Sequence, residues 1–316
     1  PNNYSEHRFS YHPLLIGIPK KNFVREEPFL ISHNEFSQRS VPSNKNNLSN
    51  QPISFFGGSS TYDISISDQN SWVNQVGLLL KNKAYLINNG VPGYSSVEHL
   101  IQTSFFMNHG SINDVKCAVY YMGWNDIRNF GIVNVDYPNI NYHLPSQAYT
   151  LRLAYIWSFS PTLRKISSFF PSQIAIFNND VGELIELSDK ALKDDLSLKA
   201  AFTNIENILA LNNSKEIKSI FIPQILNFNS LKSETAYGWI PKVADKDLYK
   251  LILYFNKKVG KIFEDGNQYF LDIDYSLFNA EDFVDQGHFS MIGAKKFADL
   301  ISNDIYHYCF TQRETN

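Results

Sequence analysis

Short apolar runs alternate with segments of helical periodicity from residue 53 to the C-terminus. Residues 53–56, 84–88, 117–122, 219–223 and 269–273 read as buried strands. Between them lie helical stripes. Trp72, Val73, Val76, Leu79 and Leu80 recur on one face, with Asp68 as a candidate cap. Ser95 and Glu98 form a capping box that opens a second helix, which Gly110 can end. A third helical segment spans about 189–211, and Leu248, Leu251, Ile252, Phe255, Val259 and Ile262 mark a fourth. Ser290 can cap a last helix with Met291, Ala294, Phe297, Leu300 and Ile301 on its inner face. Parallel strands need crossover connections of one hand, so repeated strand–helix–strand units predict a mostly parallel five-stranded sheet covered on both faces, a three-layer α/β/α fold.

The 316 residues suffice for one enlarged domain with insertions. Residues 1–51 are polar, with an apolar island at 12–18, and read as an extended strap over a domain spanning 52–316; a disordered tail is the competing reading. Phe9, Tyr11, Phe23 and Phe29 favour a strap pinned in places. Residues 133–186 interrupt the alternation and are rich in aromatics, Tyr149, Trp157 and Phe169 among them. They read either as an insertion walling the site or as an extra packed helix pair.

A net charge of -3 gives no positive field for nucleic acid or an anionic surface. No stretch approaches the roughly 18–20 apolar residues of a membrane span. Two cysteines, Cys117 and Cys309, exclude a disulfide framework, fit no metal-ligand spacing and leave the redox compartment open. The histidines form no metal-spaced cluster, and no cofactor is expected. The chain starts at Pro1, which leaves room for an export signal or anchor ahead of it.

In an open parallel sheet, ligands bind beyond the carboxyl ends of the strands. The first strand ends in Gly57-Gly58-Ser59-Ser60-Thr61 and the second is followed by Gly93; the third leads to Gly123-Trp124-Asn125-Asp126 and the fifth to Asp285-Gln286-Gly287-His288. These residue types suit acyl transfer. Serine needs an adjacent base, which His288 can be for Ser59, and Asp285 can fix the imidazole tautomer. The Ser59 and Gly93 amides and the Asn125 carboxamide are donor types for an oxyanion. Ser60 rivals Ser59 as nucleophile, and Asp282 rivals Asp285. Asn125 and Gly93 also suit plain turns, whereas Asp126 reads as structural. Trp124 lines a pocket or sits in the core, and Tyr94 is a candidate substrate-binding residue.

These blocks, GGSST, NNGVPGYSS, GWND and DQGH, resemble in order the four blocks of the SGNH (GDSL-like) serine hydrolases. The resemblance runs from about residue 53 to 305 and implies a flavodoxin-like sheet, Ser59, Asp285 and His288 as catalytic residues, and Ser59, Gly93 and Asn125 as the oxyanion hole. Gly58 departs from the commonest form, which has aspartate there. GGS variants with an upstream segment like 12–19 are similar to bacterial members that modify cell-envelope polysaccharides. The resemblance therefore implies an esterase acting on O-acetyl or other short acyl esters of a glycan, in the periplasm or cell envelope rather than the cytoplasm. An O-acyltransferase, a lipid esterase or lysophospholipase, and a non-catalytic glycan-binding module are the alternatives; oligomeric state is left open.

Overall fold

A computed structural model describes residues 8–46, 50–81, 83–111, 113–131, 183–235, 240 and 242–310. The chain opens with two small hairpins, β1 (Phe9–His12) with β2 (Ile16–Pro19) and β3 (Val24–Arg25) with β4 (Ile31–Ser32). The main sheet then begins at β5 (Pro52–Gly57). Helices α1 (Ser59–Tyr62) and α2 (Trp72–Leu79) lead to β6 (Tyr85–Asn88), and α3 (Ser96–Phe105) leads to β7 (Cys117–Tyr121). Helices α4 (Asp189–Asp194) and α5 (Leu196–Ser214) precede β8 (Lys218–Ile222); α6 (Leu248–Asp265), β9 (Tyr269–Phe270) and α7 (Met291–Phe310) complete the chain.

All four pairings in the sheet are parallel, in the order β6-β5-β7-β8-β9. This is the expected α/β sheet with flavodoxin-like order. Its direction of winding reverses between β5 and β7, which opens a crevice at their carboxyl ends. Side-chain alternation sorts each strand between two cores. Phe56, Ala118, Tyr120 and Phe221 face Ile205 and Ile208 of α5 and Leu251, Phe255 and Val259 of α6. Phe55, Val119, Tyr121 and Ile220 face Trp72 and Val76 of α2 and Ala294, Phe297 and Ile301 of α7. Every residue of β5 and β7 is buried, as strands covered on both faces must be.

Some local expectations are corrected. Asp68 does not cap α2; Ser71 does, accepting from the Asn74 amide at 3.4 Å. Asp68 instead pairs with buried Arg39 at 2.9 Å and accepts from the Ser32 amide and hydroxyl. Helix α3 stops at Phe105, ahead of Gly110, which occupies a positive-φ turn. Leu79, Met291 and Leu300 are exposed, and the inner face of α7 runs instead through Ala294, Phe297, Ala298, Ile301 and Ile305. The two cysteines are not separate thiols: Cys117 at the start of β7 and Cys309 near the end of α7 form a disulfide, their Cα atoms 5.6 Å apart. Residues 133–182 of the expected insertion lie outside the described residues.

Within the segment expected as a strap, Arg39 is the chief anchor. It is 1% exposed, and its guanidinium donates to the carbonyls of Tyr62, Asp63 and Ile66 in the turn after α1. His33 lies beside it. Its Nδ1 donates to the Lys20 carbonyl at 3.0 Å, and its Nε2 lies 2.6 Å from the Tyr62 hydroxyl. Burial above all, with Arg39 and Arg8 nearby, lowers its pKa to about 4 against the opposing Lys20 hydrogen bond. Because the unfolded chain then binds the proton first, His33 costs stability as pH falls from about 6.5 to 4, at about 1.4 kcal/mol per pH unit. Urea melts of wild type and His33→Asn should therefore differ most at pH 7 and converge toward pH 4; a pH-independent difference would refute the assignment.

Candidate active site

At the end of β5 the chain must turn at once into α1. A Cβ on Gly57 would strike Thr61 Oγ1 and the Tyr121 carbonyl, so only glycine allows this close approach. The turn leaves Ser59 partly exposed and Ser60 buried. Ser59 Oγ lies 2.7 Å from His288 Nε2, and His288 Nδ1 lies 2.7 Å from Asp285 Oδ2. With the carboxylate at Nδ1, the proton sits there, and the Nε2 lone pair accepts the Ser59 hydroxyl.

The histidine loop is built to hold this geometry. Asp285 Oδ1 accepts from the amides of Gly287 and His288, both at 2.9 Å. Phe283 and Phe289 pair across the loop as an antiparallel bridge and stack at 5.4 Å inside the core, so the loop is rooted by apolar burial. Burial works against ionisation of Asp285, but the His288 contact and the two amides outweigh it and hold the carboxyl below the usual carboxylate range. The carboxylate is thus charged where the imidazole needs an anionic partner.

The oxyanion candidates converge from two other strands. Gly93 has φ 87°, a conformation that favours glycine. Asn125 Nδ2 donates to the Tyr94 carbonyl at 2.7 Å, and Asp126 Oδ1 accepts from the Ser96 amide at 2.8 Å at the start of α3. The third block therefore grips the second at two points and fixes Asn125 relative to Gly93. The amides of Ser59 and Gly93 make no hydrogen bond among the described residues, and Asn125 keeps a second N–H hydrogen. Gly58 packs against this carboxamide, where a Cβ would run into Asn125 Nδ2. A side chain at this position would have to push the Asn125 carboxamide aside.

The rival residues are committed elsewhere. Ser60 Oγ donates to the Gly287 carbonyl at 2.9 Å. Asp282 is 1% exposed and accepts from Lys296 Nζ at 2.8 Å and from the Asn279 amide. Tyr94 is buried rather than open to solvent: it is 2% exposed, and its hydroxyl donates to the Gly17 carbonyl at 2.6 Å, which ties the first hairpin to the second block. Trp124 is buried and belongs to the core on the α5–α6 side.

Two residues escaped the sequence reading. Gln224 and Asn227 follow the fourth strand, and their backbone and side chains brace the site. The Asn227 amide donates to the Gln286 carbonyl at 2.9 Å, and Gln224 Nε2 reaches Ser60 Oγ at 3.4 Å. Both stand just past the end of β8, the same strand-end position that marks Ser59 and Asn125. Among the described residues no group of three His, Cys, Asp or Glu side chains could hold a metal ion, and no helix is long and apolar enough to cross a membrane.

A nucleophile hydrogen-bonded to an oriented base, beside converging N–H donors, is the arrangement that acyl transfer requires. No family model and no curated protein matches the chain. Among solved structures, it is similar to a catalytic mutant of an acetylxylan esterase from Geobacillus stearothermophilus, at 11% identity and a TM-score of 0.48, covering 84% of this chain and 98% of that one. It is also similar to a member of the lipolytic protein G-D-S-L family from Veillonella parvula, at 12% identity and a TM-score of 0.47, covering 80% and 97%. A GDSL-like lipase from Bacteroides thetaiotaomicron is similar at 14% identity and a TM-score of 0.44, covering 81% and 87%. Likenesses at this level assign no activity to this chain.

Proposed function

We propose that this chain is a serine esterase that works through an acyl-enzyme and removes short acyl groups, acetyl first, from a glycan. The observation that carries the chemistry is the continuous relay Ser59–His288–Asp285, with 2.7 Å at each link. Ser59 Oγ attacks the ester carbonyl as His288 Nε2 takes its proton. The negative charge on the carbonyl oxygen falls to the Ser59 and Gly93 amides and Asn125 Nδ2. Collapse breaks the ester C–O bond, and His288 returns the proton to the leaving alcohol. A water then attacks the acyl-Ser59 ester, gives its proton to His288, and releases the carboxylic acid while Ser59 recovers its hydrogen.

The glycan preference rests on the GGS block together with the upstream segment 12–19. That segment packs against the Gly93 loop through the Tyr94–Gly17 bond, which sets it beside the second block. The Cys117–Cys309 bond supports a periplasmic or cell-envelope location, since such bonds persist in oxidising compartments.

The test compares nitrophenyl acetate with nitrophenyl octanoate, and acetate release from an acetylated polysaccharide, with fluorophosphonate labelling of Ser59 alongside. Labelling with a strong preference for acetyl is expected. A folded protein that resists labelling would refute the enzyme, and a strong preference for octanoate would refute the short-acyl substrate. A second outcome follows from the contact at Gly58: Gly58→Ala should displace Asn125 Nδ2 and lower kcat on nitrophenyl acetate about 10²–10³-fold, the usual loss for one oxyanion donor. Wild-type kcat in that variant would remove Asn125 from the oxyanion hole.

A further inference from the structure

Two serines stand side by side at the head of α1, and the esterase mechanism uses only one. The second is not idle. Ser60 is 5% exposed, and its hydroxyl donates to the carbonyl of Gly287, the residue immediately before His288. A peptide carbonyl is no base at neutral pH, so this hydrogen bond cannot activate Ser60 for attack. It can only hold one chain segment to another.

We propose that Ser60 is a positioning residue that locks the histidine loop in register with Ser59. Gly287 is gripped from both sides: its carbonyl accepts from Ser60 Oγ, and its amide donates to Asp285 Oδ1 at 2.9 Å. The peptide that carries the imidazole is thereby fixed at once to the nucleophile's turn and to the orienting carboxylate. Ser60 is itself held firmly. Its carbonyl accepts from Trp72 Nε1 at 2.9 Å, the Trp72 amide donates to Asp63 Oδ2 at 2.6 Å, and the Asp63 amide returns to the Ser59 carbonyl. These bonds close a ring around the Ser59–Ser60 turn.

From the other side, Gln224 Nε2 approaches Ser60 Oγ at 3.4 Å and orients its lone pair. Gln224 is in turn fixed to α6, because its amide donates to Asn256 Oδ1 at 3.1 Å and its carbonyl accepts from Asn256 Nδ2 at 2.9 Å. Three parts of the fold, the α1–α2 turn, the end of β8 with α6, and the histidine loop, therefore meet at one hydroxyl. Because a displacement of about 1 Å in a reacting pair can cost on the order of 100-fold in rate, a single such tie has a kinetic consequence.

The proposal rests on the esterase reading for its kinetic arm, and its spectroscopic arm is independent of it. Ser60→Ala should keep the fold and KM for nitrophenyl acetate within about twofold, while kcat and the rate of fluorophosphonate labelling at Ser59 both fall by about 10-fold or more. Ser60→Cys, which retains a weak donor, should recover part of the loss. In proton NMR, the resonance of His288 Nδ1–H should broaden or move in Ser60→Ala, because the ring no longer holds one position against Asp285. A folded Ser60→Ala with wild-type labelling rate and an unchanged His288 signal overturns the proposal. If Ser60→Ala does not fold, Gln224→Met decides: a labelling rate at least about threefold below wild type with a perturbed His288 signal supports the clamp, and wild-type behaviour overturns it. Should wild type itself resist labelling, the esterase reading falls, and the His288 signal alone settles whether Ser60 positions the loop.

Discussion

Ser59→Ala should lower kcat/KM on nitrophenyl acetate by on the order of 10⁴–10⁶-fold, a loss of about 5–8 kcal/mol of transition-state stabilisation, and should abolish fluorophosphonate labelling. His288→Ala should fall within about tenfold of it, and the double variant should be no worse than the worse single one, because nucleophile and base act as a unit. Asp285→Asn tests a different link. The amide can still bond to Nδ1, but it can present N–H there, which turns the ring to the tautomer with its proton on Nε2, facing Ser59. A loss of about 10²–10⁴-fold is expected. The side-chain geometry sets this ranking: Ser59 and Asp285 meet opposite nitrogens of one ring. Retention of full activity by Ser59→Ala, with loss in Ser60→Ala, would move the nucleophile by one residue and undo both the mechanism and the clamp.

Why these residues were readable follows from how the sheet is built. Strands such as β5 and β7 are buried on both faces, so they appear in the sequence as apolar runs, broken in β5 by buried Ser54, and the first polar residue after each is at the crevice by construction. Ser59 and Asn125 could be placed on that ground, whereas Gly93, five residues past β6, and His288 follow from their blocks. Helix faces were readable only in part. The stripe through Met291 and Leu300 followed large apolar side chains, whereas the packed face of α7 uses Ala294 and Ala298, whose small size lets the helix approach the sheet.

Long-range partners were not readable at all. Arg39 looks like a surface charge in sequence, and its burial depends on three carbonyls and Asp68 that only folding collects around it. Tyr94 has the residue type of a substrate platform, yet its hydroxyl is taken by a hairpin 77 residues upstream. Gln224 and Asn227 carry no motif; their roles exist only because the end of β8 lies beside the histidine loop.

The pairing of Cys117 with Cys309 has the largest expected effect on stability. The two positions are 192 residues apart, and a cross-link closing a loop of that size removes unfolded-chain entropy worth about 5 kcal/mol at the upper end, with about 2–5 kcal/mol being the usual loss when a native bond is removed. For a chain of this length, that corresponds to a fall of roughly 4–10 °C in Tm. The bond ties the first residue of β7 to the last turns of α7, and the site lies beyond the other end of that strand, about 16 Å away along its axis. Lys218 Nζ also holds the Tyr308 carbonyl at 2.8 Å, so the end of α7 stays docked without the bond. Cys117→Ala/Cys309→Ala should therefore melt several degrees lower while kcat at 25 °C stays within about twofold of wild type, because the lost term lies in the unfolded state and not in the site. An unchanged Tm would show that the cross-link does not constrain the unfolded chain. A large fall in kcat with Tm preserved would mean instead that strain at the base of β7 reaches its catalytic end.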